Sequence, residues 1–359
     1  MLKKAAALFL VCGSIATWVG CGTTSSRFLY AAIPASSEIV AYREDPNSGV
    51  LTPLAVSPIL AGQGVQSLAM HPSKKFLYAA NSGATPQGNI SLYTISSTGT
   101  LTEVTPRTSA GSVPTILVMD SAGSYLYVGN LGSEDIYVFS IDASTGALTQ
   151  VGTNYPIGMV PMNMQLSPSG NFLYVTGEGA TGFIEAFPVS QGKIGPLPVQ
   201  GSPFQTGNNP IGLAINSAGT FLYTANKTDN SISEFTVNTD GSLTPLPNSP
   251  VGQSYLAPDA LLIDKTGKYL YIANQGSTNL SAYTIASDGG LTLLSSSPFG
   301  TGSEPSYIAT DSSGKFLFVG NQASSASVQS FALNPNTGTL TSVQTYTVPG
   351  TATSIAITP

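Results

Sequence analysis

Hydrolytic, redox or metal chemistry draws on histidine, cysteine, arginine and clustered carboxylates, and this chain holds few of them. It has one histidine, His71, three arginines, Arg27, Arg43 and Arg107, and two cysteines, Cys12 and Cys21. His71 falls at a turn position shared with Asp120, Ser167, Asn216, Asp264 and Asp311. A turn residue is the simpler reading than a general base, and a Ser-His-Asp triad would need this one imidazole. Carboxylates are what remains. Glu178 follows Gly177, where five other units carry Asn, and Asp259 follows Pro258, where the other units carry neutral residues. Two carboxylates facing each other across an opening could share a proton, hold a cation or divide acid and base roles. Dispersed, they would be solvated loop acids. Glu134, Lys227, Asp229 and Glu304 lie in loops of the same class and complete the candidate ligand-binding set. There is no His/Cys cluster and no calcium loop, so no metal and no cofactor is expected.

What must position these residues is a repeat. Between Pro210 and Pro250 the chain runs through four short apolar segments: Ile211–Ile215, Phe221–Ala225, Ile232–Val237 and Leu243–Leu246. Each is too short for a helix, alternates roughly with period two and is bounded by Gly, Asn, Asp or Pro, which predicts antiparallel strands. An aromatic-Leu-aromatic triplet opens the second strand at Phe28, Phe76, Tyr125, Phe172, Phe221, Tyr269 and Phe316. A glycine precedes the fourth strand in every unit, from Gly49 to Gly338. Pro114, Pro161, Pro210, Pro258 and Pro305 stand eleven residues before their triplets. Seven such units predict an all-β, seven-bladed β-propeller with four antiparallel strands per blade. The first unit lacks a first strand, and Thr353–Pro359 matches one, so the C-terminal strand is expected to complete the N-terminal blade.

Composition agrees. Only 8% of residues are charged while 42% are apolar, which opposes disorder. The formal net charge is −6 and the cations are scattered, so nucleic acid is not an expected partner. In the mature domain the asparagines that end second strands (Asn81, Asn130, Asn226, Asn274 and Asn321) read as turn devices bonding their own backbone. Arg43 falls late in a third strand, Arg27 at the start of a second, and Arg107 in a loop leading to the mouth. One arginine and Lys227 are too few to clamp a phosphate.

The first residues follow another rule. Lys3 and Lys4 precede an apolar run from Ala5 to Val11, and small residues flank Cys21. The Gly20-Cys21 junction resembles a bacterial lipobox. The resemblance implies a signal peptide over residues 1–20, a lipidated Cys21 with a short tether over 21–27, and the propeller over 28–359. Two acyl chains would hold the protein on the membrane of the cell envelope without a spanning helix. An ordinary cleaved signal with an incidental cysteine is the alternative.

Units of this length with FLYVxN-like second strands and TGxLT-like turns resemble the seven-bladed lactonase family. That family includes propeller-type 6-phosphogluconolactonases, and the resemblance reaches the YVTN-type surface propellers through YVGN at Tyr127–Asn130 and YIAN at Tyr271–Asn274. It implies a lactone hydrolase whose Arg, His and Glu cluster at the channel mouth, with an Arg-His pair after a strand-opening proline; the protein itself is expected to be a monomer. Here those positions hold Thr115, Met162, Ile211, Asp259 and Ser306. Two functions follow: hydrolysis of a sugar or related lactone at the mouth, or a non-catalytic envelope propeller that binds a protein, glycan or small ligand. A third reading is a cation or small-ligand binder built on Glu178 and Asp259.

Overall fold

Successive apolar strands of this chain bury both faces, and that is possible only if each sheet is stacked between two others. Phe76–Asn81 is buried at every residue, as are Tyr269–Asn274 and Phe316–Asn321. The period-two alternation expected for these second strands is therefore absent from their burial, because neighbouring blades cover both sides. A computed structural model of the chain describes residues 26–83, 86–178, 181–322 and 326–359, with only the backbone of Glu178. The leader, Cys21 and most of its tether lie outside the described residues.

Seven antiparallel sheets form the blades of a ring. From the axis outward, blade 5 consists of Pro210–Ile215, Phe221–Asn226, Ser231–Val237 and Leu243–Pro245. Blade 6 consists of Pro258–Ile263, Tyr269–Asn274, Asn279–Ile285 and Leu291–Leu293. The innermost strands of successive blades pack side by side around the axis. Blade 1 takes its innermost strand from the C-terminus: Ser354–Ile357 pairs with Leu29–Ala32, as the matching segments predict. Phe28 and Thr358 clasp this joint, the Phe28 N–H donating to Thr358 Oγ1 and the Thr358 N–H to the Phe28 carbonyl, both at 2.9 Å.

The outermost strand is a single piece in blades 2 and 7 and is broken in the other five, where a two-residue continuation re-pairs with the third strand. At four of these breaks a serine before proline covers the N–H left exposed. Ser57, Ser202, Ser249 and Ser297 accept hydrogen bonds from Ala41, Glu234 and their equivalents at 2.8–3.1 Å. A buried N–H without an acceptor would cost about 1–3 kcal/mol.

Seven hydrophobic clusters hold the ring, one between each pair of neighbouring blades. The aromatic triplets and turn glycines that mark the repeat meet across these interfaces. The first aromatic ring of each blade lies against the glycine of a neighbouring blade's outer turn, Phe28 on Gly99 and Phe172 on Gly241 among them. These glycines have φ near +83° and +85°, and a Cβ would collide with the ring, so glycine is required twice over. The tyrosine two residues on then donates its hydroxyl to the same glycine's carbonyl: Tyr30 to Gly99, Tyr78 to Gly146, Tyr223 to Gly289, at 2.7 Å. Burial pushes these phenols well above their ordinary pKa.

Candidate functional site

The innermost strands of blades 2 to 7 each carry a β-bulge at their start. The ladder register slips between Pro161 and Asn163, Pro210 and Gly212, Pro258 and Ala260, and Pro305 and Tyr307. The same slip separates Val65 from Ser67. The residue in between has no ladder partner, and a bulge re-aims such a side chain. Those residues, Gln66, Met162, Ile211, Asp259 and Ser306, with Thr115 at the same place in blade 3, line the central channel. Their cavity holds about 560 Å³, a size suited to a small ligand. Asp259 is the ionisable group in this ring of bulged residues.

Asp259 is paired. Lys227 follows the second strand of blade 5, its N–H held by the Asn209 carbonyl at 2.9 Å, and its Nζ reaches Asp259 Oδ2 of blade 6 at 3.3 Å. Both side chains are largely buried, 26% and 13% exposed. Burial raises the Asp259 carboxyl above its ordinary pKa, and the Lys227 charge opposes that rise without cancelling it. The result is a carboxylate of enhanced basicity beside an ammonium, open to a cavity: a proton acceptor with an adjacent electrophile.

Below the mouth, the channel's polar side chains stitch neighbouring blades together. Ser67 Oγ accepts from the Leu117 N–H at 3.2 Å and Ser354 Oγ from the Leu68 N–H at 3.1 Å. Asn163 Nδ2 donates to the Ile211 carbonyl and Thr353 Oγ1 to the Gln66 carbonyl, both at 2.8 Å. These groups satisfy innermost-strand backbone that has no further strand to pair with.

The other candidates are placed differently. The backbone of Glu178 pairs with Gly182 and occupies in blade 4 the position Lys227 holds in blade 5; its side chain lies outside the described residues. At Asp259 the partner is Lys227, and a cation bound by Asp259 would have to displace it. Asp229 caps a loop, accepting from the Asn208 N–H at 2.7 Å and Asn208 Nδ2 at 3.0 Å. Glu134 and Glu304 are exposed at left-handed turn positions, φ 54° and 53°, and it is their carbonyls that pin the loops, to the N–H groups of Ile157 and Gln322. Asp135, next to Glu134, is buried and accepts from Asn130, Ser133 and Asn154.

His71 is buried and structural: Nε2 lies 2.9 Å from the Gly123 carbonyl of blade 3, and Nδ1 accepts from the Ser73 N–H at 3.1 Å. Two sequence readings are corrected. Arg107 lies in the outer strand Leu101–Ser109, paired with Glu103 at 2.6 Å, because blade 2 keeps that strand in one piece. The strand-ending asparagines mostly reach across to the third strand, Asn226 to Ser231 and Ser233 and Asn274 to Asn279 and Ser281, rather than to their own backbone.

The Asp259–Lys227 pair itself was not foreseen. The separate positions were visible, but nothing short of blade adjacency brings residues 32 apart together.

The family described as "Lactonase, 7-bladed beta-propeller" matches residues 24–162, 153–304 and 257–357. A 6-phosphogluconolactonase of Blochmanniella pennsylvanica is 31% identical over 117 residues; the match covers 32% of this chain and 32% of that relative's length. Among solved structures, the periplasmic gluconolactonase of Pseudomonas aeruginosa superposes with a TM-score of 0.79 at 20% identity, covering 93% of this chain and 99% of that one. A candidate 6-phosphogluconolactonase of Bacteroides fragilis gives 0.80 at 21% identity, covering 94% and 99%. With the family matched along nearly the whole propeller, the chain belongs to the seven-bladed β-propeller lactonase family.

Proposed function

We propose that the protein hydrolyses a lactone at the mouth of its central channel, with Asp259 as general base and Lys227 beside the developing oxyanion. The observation that carries this reading is the Asp259–Lys227 pair, set on a bulge at the rim of a ligand-sized cavity. In the reaction, a water oxygen bonds to the lactone carbonyl carbon as its proton passes to the Asp259 carboxylate. The carbonyl oxygen gains charge next to the ammonium. Collapse breaks the ring C–O bond, and the alkoxide takes the proton back, yielding a hydroxy acid. Lactone names among the relatives support the reaction class.

The test is saturable hydrolysis of a lactone panel by the purified protein, corrected for spontaneous opening. Asp259→Asn is expected to lower kcat/KM by about 10²–10⁴-fold, the usual contribution of a positioned base. Full retention would reject Asp259.

A second reading, a non-catalytic propeller that binds a protein, glycan or small ligand, is favoured by the absence of Arg or His from every bulged position. It requires ligand binding at the mouth with no turnover in either wild type or variant. We propose further that the protein is exported and held on the envelope membrane through Cys21, on the support of the Lys3-Lys4 start, the apolar run and the Gly20-Cys21 junction. Metabolic labelling with an alkyne fatty acid should mark the wild type and not Cys21→Ser.

A further inference from the structure

Cations are unevenly placed on the ring. Innermost strands start at the mouth, so the turns leading into second and fourth strands lie at the opposite end, the base. Lys227 at the mouth and Arg107 on an outer strand are ion-paired. Every other cation described lies at the base, and all but Lys193 of blade 4 fall on four consecutive blades. Blade 6 contributes Lys265 and Lys268, blade 7 Lys315, blade 1 Arg27 and Arg43, and blade 2 Lys74 and Lys75. Arg27 is tied to Asp311. The others of this arc are exposed, and among the described residues none of them is paired with a carboxylate. The acids of the same blades are partly withdrawn: Glu44, Asp264 and Asp311 are buried, which leaves Asp45, Asp288 and the Pro359 carboxylate exposed at the base. The arc is thus a basic surface on a chain of net charge −6, while the mouth rim exposes Glu134, Asp229 and Glu304.

The chain enters the propeller in the middle of this arc. Ser26, Lys74 and Thr358 line one recess at the base of blades 1 and 2. The residues from Cys21 to Arg27, fully extended, reach about 20 Å. The strand Arg27–Ile33 uses about as much on its way from base to mouth. A lipid on Cys21 is therefore held to the base and cannot carry the mouth onto a bilayer. We infer that the basic arc on blades 6, 7, 1 and 2 lies against anionic phospholipid headgroups, so that the protein sits base-down with its mouth facing away from the membrane. The inference rests on the proposed attachment at Cys21 for its anchor, and on the exposed lysines for its orientation.

The experiment places the whole protein on vesicles of phosphatidylcholine with and without phosphatidylglycerol, doped with a spin-labelled headgroup that quenches a nearby fluorophore. A fluorescent amino acid is incorporated in place of Ser97, in an exposed turn at the base, or of Glu304 at the mouth. With phosphatidylglycerol present, the fluorophore at the base should be quenched and the one at the mouth should not. Each Lys or Arg at an anionic surface is worth about fivefold in such a contact equilibrium. Quenching at the base should therefore be lost when Lys74→Gln, Lys75→Gln, Lys268→Gln and Lys315→Gln are combined. High salt, which screens the same charges without any substitution, should also abolish it. Arg107→Gln, outside the arc, should keep it. If the protein takes up no fatty acid and ignores phosphatidylcholine, yet meets phosphatidylglycerol vesicles base first, the arc stands and the anchor fails. The inference is overturned by base quenching that is equal with and without phosphatidylglycerol, or that survives both the four substitutions and salt. Quenching at the mouth as strong as at the base, or contact with neither kind of vesicle, overturns it too.

Discussion

Tyr223 of blade 5 donates its hydroxyl to the carbonyl oxygen of Gly289 in blade 6 at 2.7 Å, while Phe221 of the same strand covers that glycine. One short strand thus locks its neighbour's outer turn by packing and by a hydrogen bond. Tyr223→Phe leaves the Gly289 carbonyl without its partner and should cost about 1–2 kcal/mol. Gly289→Ala, with φ near +90° and no room for a Cβ, should cost about 2–4 kcal/mol. Urea unfolding of both variants checks the order: the glycine substitution must be the more damaging.

Stability should depend on pH through Glu44. This carboxylate is fully buried at the seam of the ring, 3.5 Å from Arg27, whose Nη1 is closer to Asp311 of blade 7 at 2.6 Å. Burial first, and then the Asp311 charge, push Glu44 up to about 7 from 4.5, against the pull of Arg27; Asp45 adds a smaller upward push. The folded state therefore holds a proton that the unfolded chain releases between pH 4.5 and 7. Stability from this group is full below 4.5 and is lost as pH rises through 7. Glu44→Gln should remove that loss and raise stability above pH 7 by on the order of 1–3 kcal/mol. Melting temperatures at pH 5 and pH 8 decide it; equal gains at both would refute the assignment.

Glu234 is buried at the interface of blades 5 and 6, where its Oε1 accepts the Leu291 N–H at 3.1 Å, and burial likewise raises it to about 7. Glu234→Gln keeps an acceptor for Leu291 while removing the titration. It should flatten the same pH window independently of Glu44, the two lying in separate blades. A double variant with only one variant's effect would contradict this.

Substituting His71 should affect folding and not chemistry. With Nδ1 accepting from Ser73, the proton is on Nε2 and is donated to the Gly123 carbonyl. His71→Ala should cost about 1–3 kcal/mol, leaving kcat/KM for any lactone the protein opens within about twofold of wild type.

The ring itself was legible because a propeller repeats its turn chemistry at fixed intervals: the triplets, the turn glycines and the strand-opening prolines each mark the same blade. The closure by Ser354–Ile357 was legible for the same reason. The second role of the glycines was not, since a glycine suited to a hairpin gives no sign that a neighbouring blade's ring will lie on it. At the mouth, Asp259 stood out as a departure from the repeat, but its partner did not. Period-two alternation contains no bulge, so neither the re-aiming of Asp259 nor its meeting with Lys227 follows from strand pattern. Nothing in the strand pattern marks Glu44, which the seam between the first and last blades buries.

The most direct test of the account is the pH dependence of kcat/KM for lactone opening, in wild type and Lys227→Met. Lys227 holds the Asp259 carboxyl down against the effect of burial. Its removal should raise that pKa and move the acid limb of the profile to higher pH, with a lower plateau from the lost ammonium. An acid limb that stays where it was, or undiminished turnover in Asp259→Asn, would contradict Asp259 as the base.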